Sequence, residues 1–177
     1  CRRWLQRADR IARGGCRTDG AARYSGSAAM TGAASPLRIL LVEDDAADAH
    51  LVRLAMTETH INATLEHVVD GREALEYLRR ETDGFKEALR PDLILLDLNM
   101  PRLDGREFLV AVKADAALRA IPVVVMSTSD VERDVRGAYR LGAAGYVAKP
   151  LDVSEFIAEI RQLGEYWTSL VRLPERR

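Results

Sequence analysis

From Leu37 onward, short apolar runs alternate with longer amphipathic stretches. Apolar runs of about 4–8 residues bounded by polar or turn residues read as buried strands, and apolar positions three and four apart read as helix faces. Leu37–Glu43 is the first strand-like run. Ala46–Thr59 sets Leu51, Leu54, Ala55 and Met56 on one helical face. Ala63–Val69 is mixed in polarity and predicts a second strand at a sheet edge. Asp70 is placed to cap a helix over Gly71–Glu81, whose face is Ala74, Leu75 and Leu78. Thr82–Pro91 predicts a rather long loop. Asp92–Asp97 and Gly105–Ala114 form the third strand and helix, and Ile121–Ser127 and Asp130–Leu141 the fourth pair, with Gly142 as the stop. Ala144–Ala148 is the fifth strand, and Asp152 or Ser154 opens the last helix.

Alternating strands and helices imply a parallel sheet covered on both faces, joined by right-handed crossovers. The expected fold class is therefore α/β: a flavodoxin-like (βα)5 doubly wound parallel sheet in strand order 2-1-3-4-5. Such sheets bind ligands outside the C-terminal ends of their strands. Here four strands end in chemistry: Glu43-Asp44-Asp45, then Asp97, then Ser127, then Lys149-Pro150. Acid, acid, hydroxyl and cation at one edge suggest a divalent-cation and phosphoryl site.

Two carboxylates about 5 Å apart repel by roughly 3 kcal/mol at an effective dielectric near 20, so converging acids call for a cation. Hard oxygen ligands favour Mg2+, or Mn2+. The simpler assignment for Asp44 and Asp45 is capping of the helix that follows, where an acid is favourable anyway; the two roles can coexist. For Asp97 and Lys149 the simpler assignment is a structural salt bridge, which leaves Ser127 and the acidic pair unexplained.

Charge is unevenly spread. The 177 residues carry a formal net charge of −1, yet residues 1–35 hold seven arginines against Asp9 and Asp19. The rest is mildly acidic, which does not favour nucleic acid as a partner. Residues 1–35 lack apolar periodicity and are expected to be a disordered basic leader, with Met30 as the candidate true start. Cys1 and Cys16 both fall in that leader, so the core carries no disulfide and suits a reducing, cytoplasmic setting. No apolar run approaches the roughly 18 residues that suggest a membrane span.

Glu43-Asp44, Asp97 followed by Met100-Pro101 and Asp104-Gly105, Ser127, Tyr146 and Lys149-Pro150 together resemble the receiver domain of two-component response regulators. The resemblance covers about Leu37 to Leu163. The long loop Thr82–Pro91, the stretch DLNMPRLDGREFL and the tail YWTSLVRLP further resemble stand-alone receivers serving phytochrome-type histidine kinases. The resemblance implies phosphorylation of Asp97 by a partner histidine kinase. It implies metal binding by Asp44, Asp97, Glu43 and the Asn99 carbonyl, and Lys149 and Ser127 as groups that engage the phosphoryl oxygens. It implies a switch in which Ser127 is drawn to the phosphate and the Tyr146 ring moves inward, and a cis Lys149–Pro150 peptide. Thr128 stands beside Ser127 and competes for the hydroxyl role.

The expected organisation is a leader over 1–35, a receiver over 36–164, and a helix extension and tail over 165–177. Too few residues follow the last helix for an effector domain. Phe156, Ile160, Leu163, Trp167 and Leu170 form a stripe at spacings of four and three, with Ile157 and Val171 beside it. A seam that outlasts its domain predicts a homodimer through this helix or the fourth-helix and fifth-strand face, with folding back as the alternative. An aspartyl phosphatase is the competing enzyme reading, but it would want a second Asp where Asn99 stands. A docking module without phosphorylation is the third reading, and the complete acid set with Lys149 argues against it.

Overall fold

The computed structural model describes residues 35–58 and 60–173. Expectations for the leader, including Met30 and both cysteines, fall outside the described residues except at Ser35. Strands β1 (Leu37–Val42), β2 (Ala63–Val68), β3 (Leu93–Asp97), β4 (Val123–Ser127) and β5 (Gly145–Ala148) form one sheet in the order β2-β1-β3-β4-β5, and every neighbouring pair is parallel. The helices are α1 (Ala46–Glu58), α2 (Gly71–Arg79), α3 (Gly105–Ala114), α4 (Glu132–Arg140) and α5 (Val153–Glu165). This is the flavodoxin-like order expected from the alternation.

Side chains of successive strand residues face opposite sides, and the core divides accordingly. Leu40, Val42, Ile94, Leu96, Val123 and Val125 pack with Phe108, Leu109 and Ala138, under α2, α3 and α4. Ile39, Leu41, Leu93, Leu95, Val124 and Met126 pack with Ala49, Val52, Phe156 and Ile160, under α1 and α5. Burial on both faces explains the apolar runs Ile39–Val42, Leu93–Leu96 and Val123–Met126 within β1, β3 and β4. The edge strand β2 has one wetter side and shows the mixed pattern.

The caps follow the sequence. The Asp70 carboxylate accepts from the backbone N–H groups of Arg72 and Glu73 at the start of α2. Asp152 does the same for Ser154 and Glu155 at the start of α5, which decides between the two candidates there. Asp104 and Glu107 form a reciprocal capping box on α3. Gly142 takes φ +94° just after α4.

Two expectations are corrected. The last helix does not run on as an outward seam. After Glu165 the chain widens into a π-helical turn over Tyr166–Leu170. That turn carries Trp167 into the core under α1 and α5, where it is 8% exposed, with Val171 and Leu173 packed nearby. Burying a large indole within the domain outweighs leaving it for a partner. Leu170, by contrast, is 76% exposed. Gly164 lets α5 lie close against Ile61: a Cβ there would lie 3.0 Å from Ile61 Cγ1. The second correction concerns Lys149–Pro150. No cis peptide occurs among the described residues, and trans is intrinsically favoured for X-Pro by about 0.5–1 kcal/mol.

Candidate functional site

Strand register assembles the site. Val42 pairs with Leu96, so Glu43 and Asp97 emerge side by side one step further on. Asp97 pairs with Met126, and Ser127 with Ala148, which brings Ser127 and Lys149 to the same edge. The Lys149 backbone N–H donates to the Ser127 carbonyl at 2.7 Å, closing β5 onto β4. The His67 ring donates from Nε2 to the Glu43 carbonyl at 2.8 Å, in the tautomer that bond requires.

Glu43, Asp44 and Asp97 each offer a carboxylate oxygen, and these oxygens lie within 4.8 Å of one another. Glu43 and Asp97 are buried and Asp44 is exposed at the mouth. Asp45 instead caps α1, accepting from the backbone N–H groups of Ala47 and Asp48. Capping is thus made by Asp45, while Asp44 stands in the acidic trio. Asn99 is exposed, two residues beyond Asp97. The set is all hard oxygen with open access on one side, which fits a Mg2+ or Mn2+ ion that keeps some of its water.

Burial pushes the Glu43 carboxyl up from 4.5 to about 7, with the Lys149 hydrogen bond and charge opposing. Burial also raises Asp97, against the Lys149 charge and the backbone N–H groups of Asn99 and Leu98. Burial works against the Lys149 ammonium, but its bonds to Asp48 and Glu43 win and raise it above its ordinary value. Anions crowded into a buried edge with one fixed cation leave demand for more positive charge.

Lys149 Nζ donates to Glu43 Oε2 at 2.7 Å and to Asp48 Oδ2 at 2.8 Å, and lies 3.7 Å from Asp97 Oδ1. Lys149 thus pairs with three carboxylates, of which Asp97 is the most distant, rather than with Asp97 alone. Asp48, in the first turn of α1, was not singled out from the sequence. Its signal is positional: an acid three residues after the capping Asp45, on the turn facing the sheet edge.

Ser127 is fully buried, whereas Thr128 is exposed, so the hydroxyl inside the site is that of Ser127. The loop beyond it converges on Ser129. The Ser129 N–H donates to Ser127 Oγ at 3.2 Å, and its hydroxyl donates to Asp134 Oδ2 at 2.7 Å. Asp134 pairs with Arg106 of α3 at 3.2 Å. The Ser129 hydroxyl, aided by Arg106, holds Asp134 below the usual carboxylate range. The Tyr146 hydroxyl donates to the Ser129 carbonyl at 2.6 Å, and its ring packs against the core under α2–α4. The Tyr146 ring is half-buried in this position.

The loop after Asp97 is anchored at both ends. The Leu98 N–H donates to Asp97 Oδ1 at 2.8 Å. Arg102, at φ 66°, pairs its guanidinium with the buried Asp70. Gly105 serves close approach rather than a left-handed turn: a Cβ there would lie 2.7 Å from the Leu98 Cα.

A family model for the response regulator receiver domain matches residues 39–161. The chain belongs to the response regulator receiver family. It is 37% identical over 139 residues to the response regulator Rcp1 of Synechocystis sp., covering 78% of this chain and 94% of that protein. It is 39% identical over 142 residues to the probable methanogenesis regulatory protein FilR2 of Methanothrix harundinacea, covering 80% and 90%. Among solved structures, the phosphorylated cyanobacterial phytochrome response regulator RcpA superposes with a TM-score of 0.75 at 41% identity, covering 79% of this chain and 99% of that one. The Mn2+-bound form of Rcp1 superposes at 0.73 and 37% identity, covering 79% and 100%. Receiver domains are signalling modules of two-component systems, and the present chain carries that fold with its acidic edge intact. None of the described helices is long and apolar enough to cross a membrane.

Proposed function

We propose that this receiver accepts a phosphoryl group on Asp97 from a histidine kinase, of the phytochrome type that its relatives' names suggest, and switches partner binding in a cytoplasmic phosphorelay. The observation that carries the reading is the placement of Asp97: buried, within 4.8 Å of two further acids, and 3.7 Å from a buried lysine. An Asp97 carboxylate oxygen forms the new O–P bond while the N–P bond of the phosphohistidine breaks, and the imidazole nitrogen departs with the electron pair. A bound Mg2+ or Mn2+ supplies charge for the phosphoryl oxygens. Glu43, Asp44, Asp97 and the Asn99 carbonyl would hold that ion. Lys149 offers an ammonium and Ser127 a hydroxyl to the same oxygens, so catalysis rests on positioning and charge. Ser127, Ser129 and Tyr146 link that event to the β4–α4 loop. The chain is a self-modifying switch, not a turnover enzyme: at Asn99 there is no carboxylate to act as the acid or base of a phosphatase.

Incubation with acetyl phosphate and Mg2+ separates the readings. One acid-labile phosphoryl group per chain, absent without the metal and absent in Asp97→Asn, is the expected result. Continuous release of phosphate with many turnovers would favour an aspartyl phosphatase, and no label would favour a docking module.

A further inference from the structure

We propose that Asp48 competes with the phosphoryl group for the Lys149 ammonium and thereby restrains phosphorylation. The inference rests on the reading of Asp97 as the acceptor. Lys149 has three N–H donors. Two are committed, to Glu43 at 2.7 Å and Asp48 at 2.8 Å, while Asp97 at 3.7 Å is beyond hydrogen-bond reach. The Lys149 side chain is 6% exposed, so little water is available to replace a lost partner.

Asp48 differs from the other two carboxylates around Lys149. Glu43 and Asp97 belong to the trio that fits a cation, and Asp48 does not. Its position is set by α1, whose first turn is held by the Asp45 cap. It therefore keeps its claim on Lys149 whatever fills the trio. A phosphoryl group arriving at Asp97 must share the ammonium with a fixed anion. It also meets the like charge of that anion across the lysine. Removing the Asp48 charge frees its share of the ammonium for the phosphoryl oxygens.

The test compares the full-length chain with Asp48→Asn and Asp48→Ala, each alone and in a Lys149→Met background. Labelling by acetyl phosphate at saturating Mg2+ gives the rate constant. Calorimetric titration with beryllium trifluoride, a phosphoryl mimic, gives an affinity that needs no group transfer. Both single variants are expected to label faster and bind the mimic more tightly, by roughly threefold, the upper part of the range for a partly exposed ion pair. The gain should disappear in the Lys149→Met background. A purely structural role for Asp48 would slow labelling and weaken binding, and that outcome overturns the proposal. Unchanged rates, or a gain that persists without Lys149, overturn it as well. If the parent takes the label and only the predicted gain is missing, the acceptor reading stands and this inference alone falls. A parent that takes no label removes both.

Discussion

Glu43 shows how a single buried carboxyl makes the fold answer to pH. In the folded chain its proton is held to about 7, against an ordinary 4.5. The folded state therefore binds more protons across that window, and stability falls as pH rises through it. Asp97, also raised, acts in the same direction. Lys149 titrates above 10.5 and contributes nothing there. With metal removed by a chelator, the unfolding free energy from urea titrations should decline from about pH 4.5 to about pH 7 by an amount on the order of 3 kcal/mol at most. Glu43→Gln should flatten the decline, and a parent whose stability rises across the window would contradict the assignment. Gly105 gives a second prediction at this scale. A methyl there meets the Leu98 Cα at 2.7 Å and the Asp97 carbonyl carbon at 3.0 Å, both backbone. Gly105→Ala should cost about 1–3 kcal/mol in denaturant titrations and slow labelling of Asp97. The acids, Ser127 and Lys149 were legible because each ends an apolar run. Asp48 and the Ser129–Asp134–Arg106 chain were not, because they join residues from separate elements through side-chain geometry that no one-dimensional pattern records.

At the scale of elements, the apolar periodicity placed each strand and helix to within a residue or two at most ends. The extension was the exception. The stripe through Trp167 reads as a continuous seam because spacing of four and three is the same for a helix that continues and one that is about to turn. The π-helical turn at Tyr166–Leu170 changes which way the last residues face, sending Trp167 inward and Leu170 outward. Trp167→Ala should therefore destabilise the monomer by about 3–5 kcal/mol, as expected for emptying a large core site. Leu170→Ala should stay within about 0.5 kcal/mol. Urea unfolding distinguishes them. Sedimentation equilibrium of Leu170→Ala beside the parent then shows whether any self-association depends on the exposed end of the turn. A Trp167→Ala variant as stable as the parent would mean that the indole is not core.

Across the whole molecule, the sheet order places every chemistry-bearing strand end on one edge, and the α1/α5 and α2–α4 layers bury both faces behind it. That arrangement was readable from alternation alone, since parallel crossovers leave few topologies open. The partner kinase was not readable: recognition lies on surfaces whose residues obey no internal packing rule. The central claim is that one carboxylate, Asp97, receives the phosphoryl group. Its direct test is to label the full chain with acetyl phosphate and Mg2+, reduce with borohydride, and map the modified residue by peptide mass spectrometry. Reductive cleavage of an aspartyl phosphate converts that aspartate to homoserine. Homoserine is expected at position 97 and at no other acid. Homoserine at position 44, 45 or 48 with an unmodified Asp97 would contradict it.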